Sequence, residues 1–161
     1  LPPNIRRALT ADHDDLFAAF ARIVDEKEGF PQAPGLTRAE FDDYWIGHAS
    51  GVWVARIEGA LAGAYYLKPN FVGRAAHIAN AGYFVVAEHR GRGLGRTLVL
   101  HSLPQARRLG FDALQFNLVF ESNPARSLYR ELGFEEIGTI PDAVEGETAV
   151  IYWRSLKEVH P

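Results

Sequence analysis

Cysteine is absent from all 161 residues, which removes disulfides, thiol nucleophiles and thiolate metal sites together. It says little about compartment. Long apolar runs are also missing, and no stretch approaches the roughly 20 residues that span a bilayer. The N-terminus carries no signal-peptide pattern, so a cytoplasmic protein without a membrane partner is expected. Charge of one sign is nowhere concentrated. With 17 Lys and Arg against 20 Asp and Glu, the net charge is −3 and no basic run occurs, so a nucleic-acid partner gains no support. The six histidines are scattered, none paired at metal-ligand spacing on a predicted helix, and no metal is expected. What remains is ordinary for a globular protein: 47% hydrophobic and 23% charged, in a length that fits one domain, residues 1–161.

Hydrophobic periodicity orders the chain. Ile5 to Leu9 reads as a first strand. Thr10 or Asp12 can cap a helix in which Leu16, Phe20, Ile23 and Val24 recur at helical spacing. Gly29 to Gly35 breaks it, and Thr37-Arg38-Ala39-Glu40 has the form of a capping box opening a second helix. Val52 to Ile57 and Ala60 to Lys68 are strand-like runs joined at Glu58-Gly59, a hairpin signal. A long strand is predicted from Ala75 to Ala87. A helix then runs to Leu109 with Gly110 as its stop, although Pro104 lies inside it. Ala113 to Phe120 is the fifth strand. Asn123 and Pro124 open a short helix that Gly133 ends, and Phe134 to Ile140 and Thr148 to Arg154 complete the order β-α-α-β-β-β-α-β-α-β-β.

Between the fourth strand and the third helix lies Arg90-Gly91-Arg92-Gly93-Leu94-Gly95. Glycine lets backbone approach a ligand closely, and unpaired N–H groups at a helix start favour phosphate. A Walker loop needs a Lys that is not there. A dinucleotide fingerprint starting at Gly91 and Gly93 would need its third Gly where Arg96 stands. The spacing that does fit is Arg-x-x-Gly-x-Gly, filled by Arg90, Gly93 and Gly95. A second segment follows at Asn123-Pro124-Ala125-Arg126-Ser127-Leu128-Tyr129-Arg130-Glu131-Leu132-Gly133-Phe134.

Together these segments resemble the GNAT superfamily of acetyl-CoA-dependent N-acetyltransferases, over roughly residues 78–140. The resemblance implies an α/β fold of mixed α+β type: a mostly antiparallel sheet of about seven strands flanked by about four helices, splayed between the fourth and fifth strands. It also implies acetyl-CoA as cosubstrate, a small-molecule amine as acceptor, and a homodimer. By family position, Arg90, Gly91, Arg92, Gly93, Gly95 and Arg96 would hold the pyrophosphate. Val85 would pair its backbone with pantetheine, and Asn123 would cap a helix and contact CoA. Tyr129 would protonate the departing thiolate, since a phenol keeps its proton at neutral pH. The plainer readings stay open: an exposed basic turn for Arg92, and an aromatic packed beside Leu128 and Leu132 for Tyr129.

The general base is the open position. Many GNAT relatives place a Glu in the strand before the loop, but residues 69–87 contain no carboxylate. His77 can replace it, as can a water chain to Glu121 or bulk solvent; a lone strand His is equally a surface residue. Asn80 and Asn117 are amides in strands and need partners. Regular alternation places Asn80 with Ile78, Gly82 and Phe84. It places Asn117 with Gln115 and Val119, opposite Leu114, Phe116, Leu118 and Phe120. Backbone pairing is one fate for both. The other is a cleft, with Asn80 on the substrate and Asn117 orienting the amine or the thioester carbonyl. Their sequence contexts are similar to a GNAT branch that includes yeast-type acetyltransferases of proline analogues. Tyr44 and Trp45, with Phe30 and Tyr65 or Tyr66, could wall the acceptor pocket or simply fill the core. Two rival functions remain, a non-catalytic acyl-CoA sensor and a protein N-terminal or lysine acetyltransferase.

Overall fold

The computed structural model describes residues 2–161. Among these, the strands are β1 (Asn4–Arg7), β2 (Gly51–Ile57), β3 (Ala60–Pro69), β4 (Ile78–Val85), β5 (Ala113–Phe120), β6 (Glu135–Val144) and β7 (Glu147–Ser155). The helices are α1 (His13–Asp25), α2 (Arg38–Phe41), α3 (Leu94–Arg108) and α4 (Arg126–Glu131). The sheet order is β1-β2-β3-β4-β5-β7-β6. It is mostly antiparallel, with β4 and β5 parallel. The chain divides into two compact units, one made of Leu1–Lys68 and Gly82–Ser102, the other of Pro69–Ala81 and Leu103–Pro161.

In the first unit, Leu16, Phe20, Ile23 and Val24 all lie on the buried face of α1. The Thr37–Glu40 capping box forms as expected: Glu40 N–H donates to Thr37 Oγ1 and Thr37 N–H to Glu40 Oε1, both at 3.2 Å. The helix then widens into a π turn over Asp42–Gly47, which carries Trp45 into the core at 0% exposure. Phe20 meets Trp45 and Phe30 edge-on at 5.4 and 4.9 Å. The β2–β3 hairpin turns on Glu58 and Gly59, with φ of 50° and 81°, the left-handed pair a tight I′ turn requires.

Asp12 behaves differently from a cap. It precedes α1 but makes no side-chain bond to the helix. Its carboxylate accepts from Leu9 N–H at 2.7 Å and from the guanidinium groups of Arg6 at 2.7 Å and Arg56 at 2.8 Å. That backward bond turns the chain after Arg7, so β1 is shorter than the run to Leu9 suggested. β4 is also shorter than expected. Single helical turns at Gly73–Ala75 and Ala87–His89 flank it, the first opened by Gly73 at φ 63°.

In the second unit, β4 and β5 pair from Ile78↔Ala113 to Asn80↔Gln115, and the ladder ends there. β5 pairs antiparallel with β7, and β6 with β7. Between Phe116 and Val119 the β5–β7 register slips, a β-bulge that reverses the alternation of β5. Leu114 and Phe116 are buried before it and Val119 after it, so Val119 does not share the face of exposed Asn117 as regular alternation had placed it. Helix α3 ends as Gly110 predicts. Gly110 N–H bonds Arg107 C=O and Phe111 N–H bonds Ala106 C=O, the paired bonds of a left-handed glycine stop. Gly133 ends α4 in the same way, through Arg130 and Tyr129.

Candidate active site

In the first unit the glycine loop joins β4 to α3. Gly91 and Gly93 have φ of 77° and 79°, a conformation cheap only for glycine. At Gly95 the backbone makes no such demand, and an added Cβ would meet nothing within 4 Å. Neither strain nor protein contact calls for glycine there. Gly93 C=O accepts from both the N–H and the hydroxyl of Thr97, each at 3.1 Å, closing the first turn of α3. In that turn Leu94 and Gly95 direct N–H groups that have no intrahelical acceptor. No acidic residue occupies the turn, while exposed Arg92 and Arg96 flank it. A cation at a helix N-terminus is unfavourable by about 0.3–1 kcal/mol, so this cluster suits an anion such as phosphate better than it suits the helix.

Arg90 is turned back toward β4. Its Nε donates to Val85 C=O at 3.1 Å, and its Nη1 pairs with Glu28 at 2.6 Å. Also in this unit, Tyr44 is half-buried, and its hydroxyl lies 2.9 Å from that of Tyr66. Trp45 is enclosed by Phe20, Phe41, Tyr66 and Phe84. Its Nε1 is buried without an acceptor among the described residues.

The second unit carries the amides and Tyr129. Asn80 is 9% exposed, and its Nδ2 donates to Gln115 C=O at 3.0 Å. Asn117 and Asn70 exchange amide bonds of 2.6 and 3.1 Å, and Gln115 Nε2 adds a third at 3.1 Å. The sequence reading missed Asn70; its signal was an amide in a stretch devoid of carboxylates. His77 is exposed, with Nδ1 3.1 Å from Arg74 C=O. Asn123 accepts from Ala125 N–H at 2.9 Å, fixing the turn into α4. Tyr129 packs against Phe116, Tyr152 and Phe134 at 4.7, 5.6 and 5.9 Å. Burial, aided by Tyr152, pushes its phenol up to about 12, so it keeps its proton at physiological pH.

Residues 13–134 match the model of the acetyltransferase (GNAT) family. The chain belongs to that family. It is 37% identical over 134 residues to N-acetyltransferase aca1 of Schizosaccharomyces pombe, covering 81% of this chain and 57% of that one. It is 30% identical over 129 residues to a mycothiol acetyltransferase of Clavibacter sepedonicus, 78% of this chain and 40% of the relative. The chain thus spans about half the length of these two relatives. Among solved structures, a GCN5-related N-acetyltransferase from Kribbella flavida superposes with a TM-score of 0.88 at 34% identity, covering 96% of this chain and 98% of its own. The GNAT glycine loop and the Tyr129 segment both fall inside the matched region. No helix among the described residues is long and apolar enough to cross a membrane.

Proposed function

We propose that this chain is a single acetyltransferase domain that moves an acetyl group from acetyl-CoA directly to an amine of a small molecule, an amino or imino acid by preference. The loop carries the reading: Gly91 and Gly93 hold left-handed backbone at a helix start flanked by exposed Arg92 and Arg96, in a GNAT family member. Acetyl-CoA supplies an activated thioester carbonyl. Arg90, Arg92, Arg96 and the backbone of Gly91, Gly93 and Gly95 bind its pyrophosphate. Val85 offers strand-like backbone to the pantetheine arm, and Asn123 orients the start of α4 and contacts CoA. Tyr129 holds a proton at its phenol oxygen for the leaving thiolate. With no cysteine in the chain, the amine attacks without a covalent cysteine intermediate.

Asn117 orients the acceptor amine or the carbonyl, and His77 is the candidate base. Asn80, Tyr44 and Trp45 serve the acceptor. The mycothiol acetyltransferase among the relatives supports a small-molecule acceptor. We further assign the protein to the cytoplasm and to a homodimer; exposed Ile137 and Ile140 on β6, at 52% and 38%, support the latter. Mass-spectrometric screening of amines, amino acids and peptides with acetyl-CoA tests the reading. Acetylation of peptides alone would replace it with a protein acetyltransferase, and no turnover despite acetyl-CoA binding with an acyl-CoA sensor.

A further inference from the structure

Lys68, on β3, is half-buried and has no ionic partner among the described residues. Five arginines of the same unit differ from it. Arg6, Arg22, Arg38, Arg56 and Arg90 all pair with carboxylates at 3.2 Å or less. The Nζ of Lys68 instead sits 4.1 Å from the ring centroid of Tyr44 and 4.6 Å from that of Tyr66. Its one hydrogen-bond acceptor among the described residues is Tyr44 C=O, at the long distance of 3.5 Å. Asp43, whose charge acts on Lys68, makes no ion pair with it and lies 3.5 Å from His48 Nε2. Burial lowers the pKa of Lys68, opposed only by the charge of Asp43.

The platform beneath the ammonium is built, not incidental. The Tyr44 and Tyr66 hydroxyls bond to each other at 2.9 Å, and the rings meet edge-on at 5.6 Å. Tyr66 is 2% exposed. It lies so close to β4 that a Cβ on Gly82 would come within 2.5 Å of its ring. Gly82 therefore exists to admit this ring. Two aromatic faces attract the cation but leave most of its N–H capacity unused. A cation withdrawn from water without an anion costs free energy, and a ligand anion would offset that cost.

Resting on the transferase reading above, we propose that Lys68, seated on Tyr44 and Tyr66, is the anion-recognition residue of the acceptor site, and that the acceptor amine bears a carboxylate. One ammonium balances one carboxylate, whereas a phosphate dianion would leave charge uncompensated.

The test compares matched pairs, amino and imino acids against their carboxamides, with the wild type, Lys68→Met and Lys68→Arg. Met keeps the unbranched stem over the rings and removes the charge. The wild type should prefer the acid. Lys68→Met should raise KM for the acid by roughly 10- to 100-fold, the range of a charged hydrogen bond. KM for the carboxamide and calorimetric affinity for acetyl-CoA should not move, and Lys68→Arg should recover part of the loss. Equal losses for acid and carboxamide would make Lys68 a packing residue and overturn the proposal. So would a wild type that binds acetyl-CoA but acetylates only amines without a carboxylate. Failure of the wild type to bind acetyl-CoA would instead overturn the transferase reading, and this proposal with it.

Discussion

The guanidinium of Arg90 links Val85 to Glu28: Nε donates to the Val85 carbonyl at 3.1 Å while Nη1 pairs with the Glu28 carboxylate at 2.6 Å. The first arginine of the glycine loop is thus committed to the end of β4 and to the segment after α1. In the proposed complex, both Arg90 and the Val85 backbone are wanted by CoA. Glu28 then competes with the pyrophosphate for Arg90. Glu28→Gln should lower the acetyl-CoA dissociation constant by a few-fold, since an exposed ion pair is worth about 0.2–1 kcal/mol. Arg90→Ala should raise it by roughly tenfold. Titration calorimetry checks both. Weaker binding by Glu28→Gln would mean that the pair preorganises Arg90.

Gly93→Asp tests the loop itself. With φ at 79°, an L residue there is strained by about 1–2 kcal/mol. Its Cβ would meet no protein atom within 4 Å, so the fold should persist, with unchanged circular dichroism and a slightly lower melting temperature. A carboxylate placed where phosphate is expected should abolish measurable acetyl-CoA binding. Unchanged affinity in calorimetry would remove the phosphate assignment of this loop.

Much of this was legible in the sequence because the controlling signals are local. The Thr37–Glu40 box, the Glu58-Gly59 turn, and the glycine stops at 110 and 133 act within a few residues, and β5 keeps the expected bounds Ala113–Phe120. What escaped depends on tertiary partners. The bulge after Phe116 is set by pairing with β7, so alternation placed Asn117 with Gln115 correctly but could not place Val119 beyond it. Asp12 looked like a cap because its partners, Arg6 and Arg56, come from two strands. Lys68 went unnoticed because its distinction is a missing ion pair, which no spacing reveals.

Asp12 should dominate acid stability. It is 3% exposed; the Arg6 guanidinium first, then Leu9 N–H and Arg56, hold its carboxyl well below the usual carboxylate range against the opposing effect of burial. A depressed native pKa gives stability that is fully present above the unfolded value of about 3.9. It is lost as pH falls below that value toward the native one. Denaturant titrations between pH 7 and pH 2 should show this decline. Asp12→Ala should cost about 1.5–3 kcal/mol at pH 7, the range for hydrogen bonds to a charged group, because Arg6 reaches solvent and Arg56 keeps Asp15, and should flatten the acid limb. A variant as stable as the wild type at pH 7 would make the Arg6–Asp12–Arg56 group energetically idle.

Tyr129 offers the cleanest separation of packing from chemistry. Its ring is held by Phe116, Phe134 and Tyr152, and no described residue hydrogen-bonds its hydroxyl. Tyr129→Phe therefore keeps the packing and leaves no protein group unpaired, so its stability should match the wild type. If the phenol protonates the leaving thiolate, kcat should fall by roughly 10²–10⁴-fold, with little change in KM for acetyl-CoA, because the lost interaction is made in the transition state. The pH profile gives an independent check. With the phenol pushed up to about 12 by burial, the donor form persists through pH 10, and activity should not decline on its account below that pH. A Tyr129→Phe enzyme with near-normal kcat and an unchanged alkaline limb would mean that water, not Tyr129, supplies the proton.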